Sequence, residues 1–177
     1  MTGRYDEVAP RAVARSRDEA RLFLDLTPCP DCGTMSPDWN HGIEDAGGEL
    51  VSSYAAVCPG CGAERQYLFG LPERETAGEF PAFGGPEPSE LLDPGQWLHV
   101  ADLFASDVPD DDPGLALAIA RAAVDEVVKF VPPGLDAVPP DAFWTEDGRR
   151  VHDAEPGRFR LDRLLLVRDT YRDTELE

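Results

Sequence analysis

Long apolar runs are missing from this 177-residue chain, and no stretch approaches the ~20 apolar residues that a bilayer-spanning helix needs. Residues 1–25 hold no uninterrupted apolar segment either, because Arg4, Arg11, Arg15, Arg17 and Arg21 break it up, so no export signal is read there. Both absences lead to the expectation of a cytoplasmic protein with no membrane partner, in a compartment that keeps thiols reduced. Bases are scarce in the middle of the chain. Residues 31–72 hold six acids against Arg65, and residues 73–147 hold 17 acids against Arg74, Arg121 and Lys129. These stretches contribute −5 and −14, which is the whole formal charge of −19, since acids and bases balance at both ends. Such a field repels phosphate backbones and attracts basic proteins. Solubility is the plainer use of the same charge.

Catalytic signatures are missing as well. The chain has no phosphate-cradling G-x-x-x-x-G-K, no G-x-S-x-G elbow and no H-E-x-x-H. Its histidines are His41, His99 and His152. His99 and Asp102 fall three apart on an expected helix, the spacing of an acid/base pair and equally of an ordinary surface contact. A deaminase would pair P-C-x-x-C with an upstream H-x-E, and no histidine precedes Cys29.

What is present is concentrated in two matching segments, Cys29-Pro30-Asp31-Cys32-Gly33 and Cys58-Pro59-Gly60-Cys61-Gly62, which contain all four cysteines. A C-x-x-C turn followed by glycine curls the backbone so that both sulfurs point at one spot. Two such turns supply four thiolates in a tetrahedron, the donor set of structural Zn²⁺, and leave no coordination position for water. The 25 residues between Cys32 and Cys58 exceed the usual spacing, but a long loop adds little closure entropy. Two disulfides would need an oxidising compartment, and a redox pair would want a single C-x-x-C opening a helix. His41 lies between the pairs and is read as an ordinary loop residue.

The remaining pattern places these turns in an α+β fold, a two- to four-stranded hairpin ribbon joined to a small, mainly helical core. Ser16 to Glu19 is a capping box that opens a helix to about Leu26, with Leu22, Phe23 and Leu26 on one side. Asp45 to Gly48 is a turn, Glu49–Val57 a strand into the second cysteine pair, and Ala63–Leu71 its antiparallel partner. Asp93-Pro94 starts a helix through Ala105, and Asp112-Pro113 starts the longest one, to about Phe130. Leu117, Ala120, Val124, Val127, Val128 and Val131 line one face of it, and Arg121, Asp125, Glu126 and Lys129 form a narrow wet stripe. Residues 135–156 read as loop, with Phe143 and Trp144 capping the core and Asp147-Gly148 a tight turn. The last helix starts from Gly157, and its five arginines interleave with aspartates as an ion-paired face. The domain plan is thus an arm and helix (1–26), a zinc module (27–71), a Pro/Gly-rich connector (72–93) and a helical core (94–177).

Turn, strand, turn, strand over residues 27–71, with CPDCG and CPGCG at the turns, resembles the zinc-ribbon modules. That resemblance implies Cys29, Cys32, Cys58 and Cys61 as ligands of a structural Zn²⁺ and leaves the function open. The latter half, from PSELLDPGQWL through VDEVVKFVPPG to PGRFRLDRLLLVRDTYR, is similar to uncharacterised bacterial proteins associated with polymorphic toxin systems. That similarity implies immunity, an acidic protein covering a basic toxin domain. Phe80 and Phe83, with the Asp110-Asp111-Asp112 run, are the candidate partner-binding residues. Loop packing and helix-dipole compensation are their ordinary explanations. A nucleic-acid or transcription accessory role is the alternative, and an enzyme using His99 and Asp102 the remote one.

Overall fold

A computed structural model describes residues 11–35, 37–74, 80–109 and 113–175. Asp110, Asp111 and Asp112, most of the N-terminal arm and residues 75–79 of the connector lie outside the described residues. The chain forms an α+β fold that divides into two compact units, Met1–Ala77 and Gly78–Glu177.

The first unit contains helix α1 (Arg17–Asp25) and a three-stranded antiparallel sheet, β1 (Asn40–Asp45), β2 (Leu50–Val57) and β3 (Glu64–Gly70), in that spatial order. The Ser16 hydroxyl accepts from the Glu19 N–H at 3.1 Å, as the capping signal predicts. The Glu19 carboxylate, fully buried, accepts from the Arg15 N–H at 2.8 Å and from Arg15 Nη2 at 2.6 Å. The inward face of α1 is Ala20 and Leu24 rather than Leu22 and Leu26, which are only half-buried. Phe23 sets its ring edge-on to Tyr67 and Phe69 of β3. The register pairs Tyr54 with Tyr67, so these rings share one face of the sheet, and Trp39 adds a fourth aromatic against Tyr67. The turn between β1 and β2 lies at the expected place. Gly47 and Gly48 take left-handed φ of 80° and 91°, and the Gly48 N–H donates to Asp45 Oδ1 at 2.8 Å.

The second unit is helical: α2 (Pro94–Ser106), α3 (Pro113–Val128), α4 (Glu146–Ala154) and α5 (Leu161–Glu175), with 3₁₀ turns at Pro140–Ala142 and Pro156–Phe159. Helix α3 packs on α2 and α5, and α2 also packs on α4. Trp97, Leu98, Val100, Val124, Val127, Phe159 and Leu164 form the core. Two expectations are corrected here. Residues 146–154 are helix rather than loop, and Gly148 belongs to the interior of α4 rather than to a tight turn. Its lack of a side chain serves a close crossing, since a Cβ there would lie 2.0 Å from Asp93 Oδ1. Asp93, fully buried, caps α2 by accepting from the Gln96 N–H and also accepts the Thr145 N–H at 2.8 Å and hydroxyl at 2.6 Å. One carboxylate therefore organises the starts of two helices. The wet stripe of α3 is also narrower than its sequence suggests. Glu126 is buried, and Lys129 closes over it at 2.6 Å while donating to the Gly85 carbonyl at 2.7 Å.

Candidate metal centre

The two C-x-x-C-G segments adopt the same local backbone. In the first, the Gly33 N–H donates to Cys29 O at 2.8 Å and the Cys29 N–H to Thr34 O at 2.9 Å. In the second, the Gly62 N–H donates to Cys58 O at 2.9 Å and the Cys58 N–H to Ala63 O at 2.8 Å. Gly33 and Gly62 close the turns with φ of 73° and 76°, a left-handed conformation that favours glycine. The second segment is the connection between β2 and β3, held where Val57 pairs with Glu64. The first follows α1 and meets the second closely. A Cβ on Gly60 would lie 2.2 Å from Thr34 Oγ1 and 3.2 Å from Cys32 Sγ. Glycine at position 60 is what lets the two turns approach.

All four sulfurs lie within 4.8 Å of one another. Cys29 Sγ is 3.8 Å from Cys61 Sγ, and Cys32 Sγ is 3.5 Å from Cys58 Sγ. A disulfide would need about 2.05 Å, whereas four sulfurs each ~2.3 Å from one central ion stand about 3.8 Å apart. The cluster is therefore compatible with binding a metal ion such as zinc. Cys29 and Cys58 are buried and Cys32 and Cys61 exposed, so each turn contributes one inner and one outer sulfur.

The electrostatics of the bare cluster argue the same way. The Thr34 hydroxyl and N–H hold the Cys32 thiol down to about 6. The Cys61 N–H lowers Cys58 against the opposing effect of burial. At Cys61 the Ala63 N–H pulls down, but Cys32, burial, Cys58 and Cys29 outweigh it and push the thiol up to about 12. Neighbouring thiolates repel, and a cation at their centre removes that conflict.

The other singled-out residues are dispersed. His41 is not in a loop but in β1, with Nε2 3.0 Å from Ser52 Oγ and its ring 4.7 Å from that of Tyr54, apart from the sulfur cluster. His99 is exposed, and Asp102 accepts two bonds from Arg158, at 2.9 and 2.5 Å, with no hydrogen bond to His99 among the described residues. His152 packs its ring against Phe143 and Phe159, which also touch each other. Phe83 is buried against Trp97 at a ring separation of 4.9 Å, whereas Phe80 is 55 % exposed, so the two do not form a surface pair. An open cavity of about 500 Å³ is lined by Glu155, Gly157, Arg158, Arg160, Asp162 and Arg163. Its lining has no serine, threonine, cysteine, lysine or histidine, and Arg158 and Arg160 are engaged by Asp102 and Asp162. Among the described residues no helix is long and apolar enough to cross a membrane.

Sequence reasoning missed Arg65, which reads as a solvated base on a strand but is buried, donating from Nη2 to Thr27 O at 2.9 Å and stacking on Trp39. Its position three places past the Cys61-Gly62 turn, facing the aromatic side of β3, was the available signal. No protein-family model, curated protein or solved structure matches the chain, so the comparisons lend no support to the likeness of its latter half to immunity-type proteins.

Proposed function

We propose that this is a non-catalytic acidic protein whose first unit is stapled by one Zn²⁺ on Cys29, Cys32, Cys58 and Cys61, and which acts by docking a basic protein partner. The observation that carries the reading is the convergence of four sulfurs within 4.8 Å, a donor set that fills the coordination sphere of zinc. A filled sphere has no position for water or substrate, so the ion would supply a cross-link and no chemistry. Tetrahedral sulfur also suits iron, and elemental analysis of the purified chain separates the two. One zinc per chain is the expected result; a metal-free protein with reactive thiols would overturn it.

The docking half rests on charge. The formal excess is −19, and many of the arginines of the C-terminal segment are engaged internally. Arg158 pairs with Asp102, Arg160 with Asp162, Arg168 with Asp169 and Arg172 with Asp169. These pairs are already counted in the net charge, and the −19 is the excess that remains after them. A basic toxin domain neutralised by this chain is the specific form of the reading, with the field speeding capture. Co-expression with a basic toxin domain encoded beside the gene tests it. Protection of growth, and capture that weakens as salt rises, support immunity; no protection and no salt dependence end it. The nucleic-acid alternative is disfavoured by Arg65, since the one base of residues 27–71 is buried.

A further inference from the structure

Arg65 is 6 % exposed, and its charge meets no carboxylate among the described residues. Its Nη2 donates to the carbonyls of Thr27 at 2.9 Å and Pro28 at 3.4 Å and to the Tyr67 hydroxyl at 3.1 Å. Its guanidinium carbon lies 5.0 Å from the ring centroid of Trp39 and 5.6 Å from that of Tyr67. Nε and Nη1 are buried with no hydrogen-bond partner. A desolvated cation in this state is strongly unfavourable, and two aromatic faces offset only part of the penalty. An opposite charge close by would offset the rest.

The position of Arg65 says what that is. Pro28, whose carbonyl it holds, is followed directly by Cys29. Arg65 itself stands opposite Ala56, two residues before Cys58, and four residues beyond Cys61. The guanidinium therefore sits at the entry to the first turn, on a residue whose backbone lies on the strand that leaves the second. Four thiolates around a divalent cation leave a net charge of about −2. We propose that Arg65 is the counter-charge and positioning residue of the four-cysteine metal centre. It holds the two carbonyls that lead into Cys29 and places a fixed positive charge at the entry to the first turn. This inference rests on the metal reading above and adds to it the residue outside the ligand set on which affinity depends.

The test uses the full chain loaded with Zn²⁺ or, as a spectroscopic probe, Co²⁺, in wild type and in Arg65→Met, Arg65→Gln and Arg65→Lys. Zn²⁺ affinity is read by competition with a chromophoric chelator. The sulfur-to-cobalt charge-transfer band reports electron density on the sulfurs, and aromatic circular dichroism confirms that each variant is folded. Arg65→Met and Arg65→Gln are expected to lose about 10- to 100-fold in Zn²⁺ affinity. Their cobalt band moves to lower energy, because the sulfurs no longer share the field of a cation. Arg65→Lys restores most of both. Neutral variants that bind within about twofold of wild type, with an unmoved band, overturn the proposal. So does a lysine variant as weak as methionine, which would assign the effect to the lost fork and packing. A wild-type chain that takes up neither metal brings down the metal reading and this proposal together, an outcome separate from the other two.

Discussion

The two units of this chain are held together by different physics. In the second, large apolar side chains are removed from water: Trp97, Leu92, Phe159, Leu164, Val100, Val124 and Val127 are each less than 2 % exposed. Each such side chain contributes about 1.5–3 kcal/mol by burial, before the entropy of ordering it is set against that. In the first, all six residues of β1 are exposed, and the cysteine turns are built from Pro30, Asp31, Pro59 and Gly60, which face solvent. Phe69, Leu24, Val51 and Tyr54 make a core under the sheet, and in the turns the buried side chains are those of Cys29 and Cys58. Small folds in that position commonly rely on a metal. The difference teaches that compactness alone does not say what a region depends on. The helical unit depends on volume and fit, whereas the sheet unit gathers four sulfurs from two turns far apart in the chain.

Five perturbations test this contrast. Stripping the metal with a chelator, or making Cys29→Ser with Cys58→Ser, is expected to have the largest effect, since structural zinc supplies apparent free energies of about 10–16 kcal/mol in small folds. Hydrogen exchange should show the amides of β2 and β3 losing protection while those of α2 and α3 retain theirs. Uniform loss, or none, would erase the distinction. The same release is expected on acidification, because each thiolate must shed the metal to take up a proton. The lowered pKa values of Cys32 and Cys58 carry the release to lower pH, and the raised value of Cys61 opposes this.

Trp97→Ala comes next, with a loss of about 3–5 kcal/mol in the helical unit by denaturant titration and an unchanged zinc content. Gly148→Ala is expected to cost about 1–3 kcal/mol, because its new methyl group drives Asp93 away from Thr145 and Gln96. A Gly148→Ala protein as stable as wild type would show that the crossing of α2 and α4 yields easily. The smallest effect is assigned to Asp125→Asn. Burial raises the Asp125 carboxyl despite the opposing charges of Arg168, Arg121 and Lys129. A carboxyl raised on folding opposes stability at neutral pH and stops doing so as pH falls through its folded pKa. The amide should therefore stay within about 0.5 kcal/mol of wild type at neutral pH, on the stabilising side.

Much of this was legible from local chemistry. Helices α2 and α3 begin at Pro94 and Pro113, where an aspartate precedes a proline, and β2 and β3 flank the second cysteine turn. Strand β1 was not legible, because Asn40-His41-Gly42-Ile43-Glu44-Asp45 has neither alternation nor β-forming composition and is held by its ladder to β2. Helix α4 was hidden by Asp147-Gly148, a turn signal in isolation, although Thr145 before Glu146 and Asp147 marked a helix start. Buried Glu19, Glu126 and Arg65 were out of reach for a related reason: a pattern of polar and apolar residues assigns every charge to water.

From the sequence alone the two pairs of neighbouring sulfurs could be located, because a C-x-x-C-G turn positions its two sulfurs through hydrogen bonds that span six residues or fewer. The sequence also determined the sign of the field and the starts of the main helices, which are local or additive properties. Only the tertiary structure decided which charges leave water. Arg65 meets Thr27 across 38 residues and Thr145 meets Asp93 across 52, so neither is tolerable inside until the chain has folded and brought its partners to it.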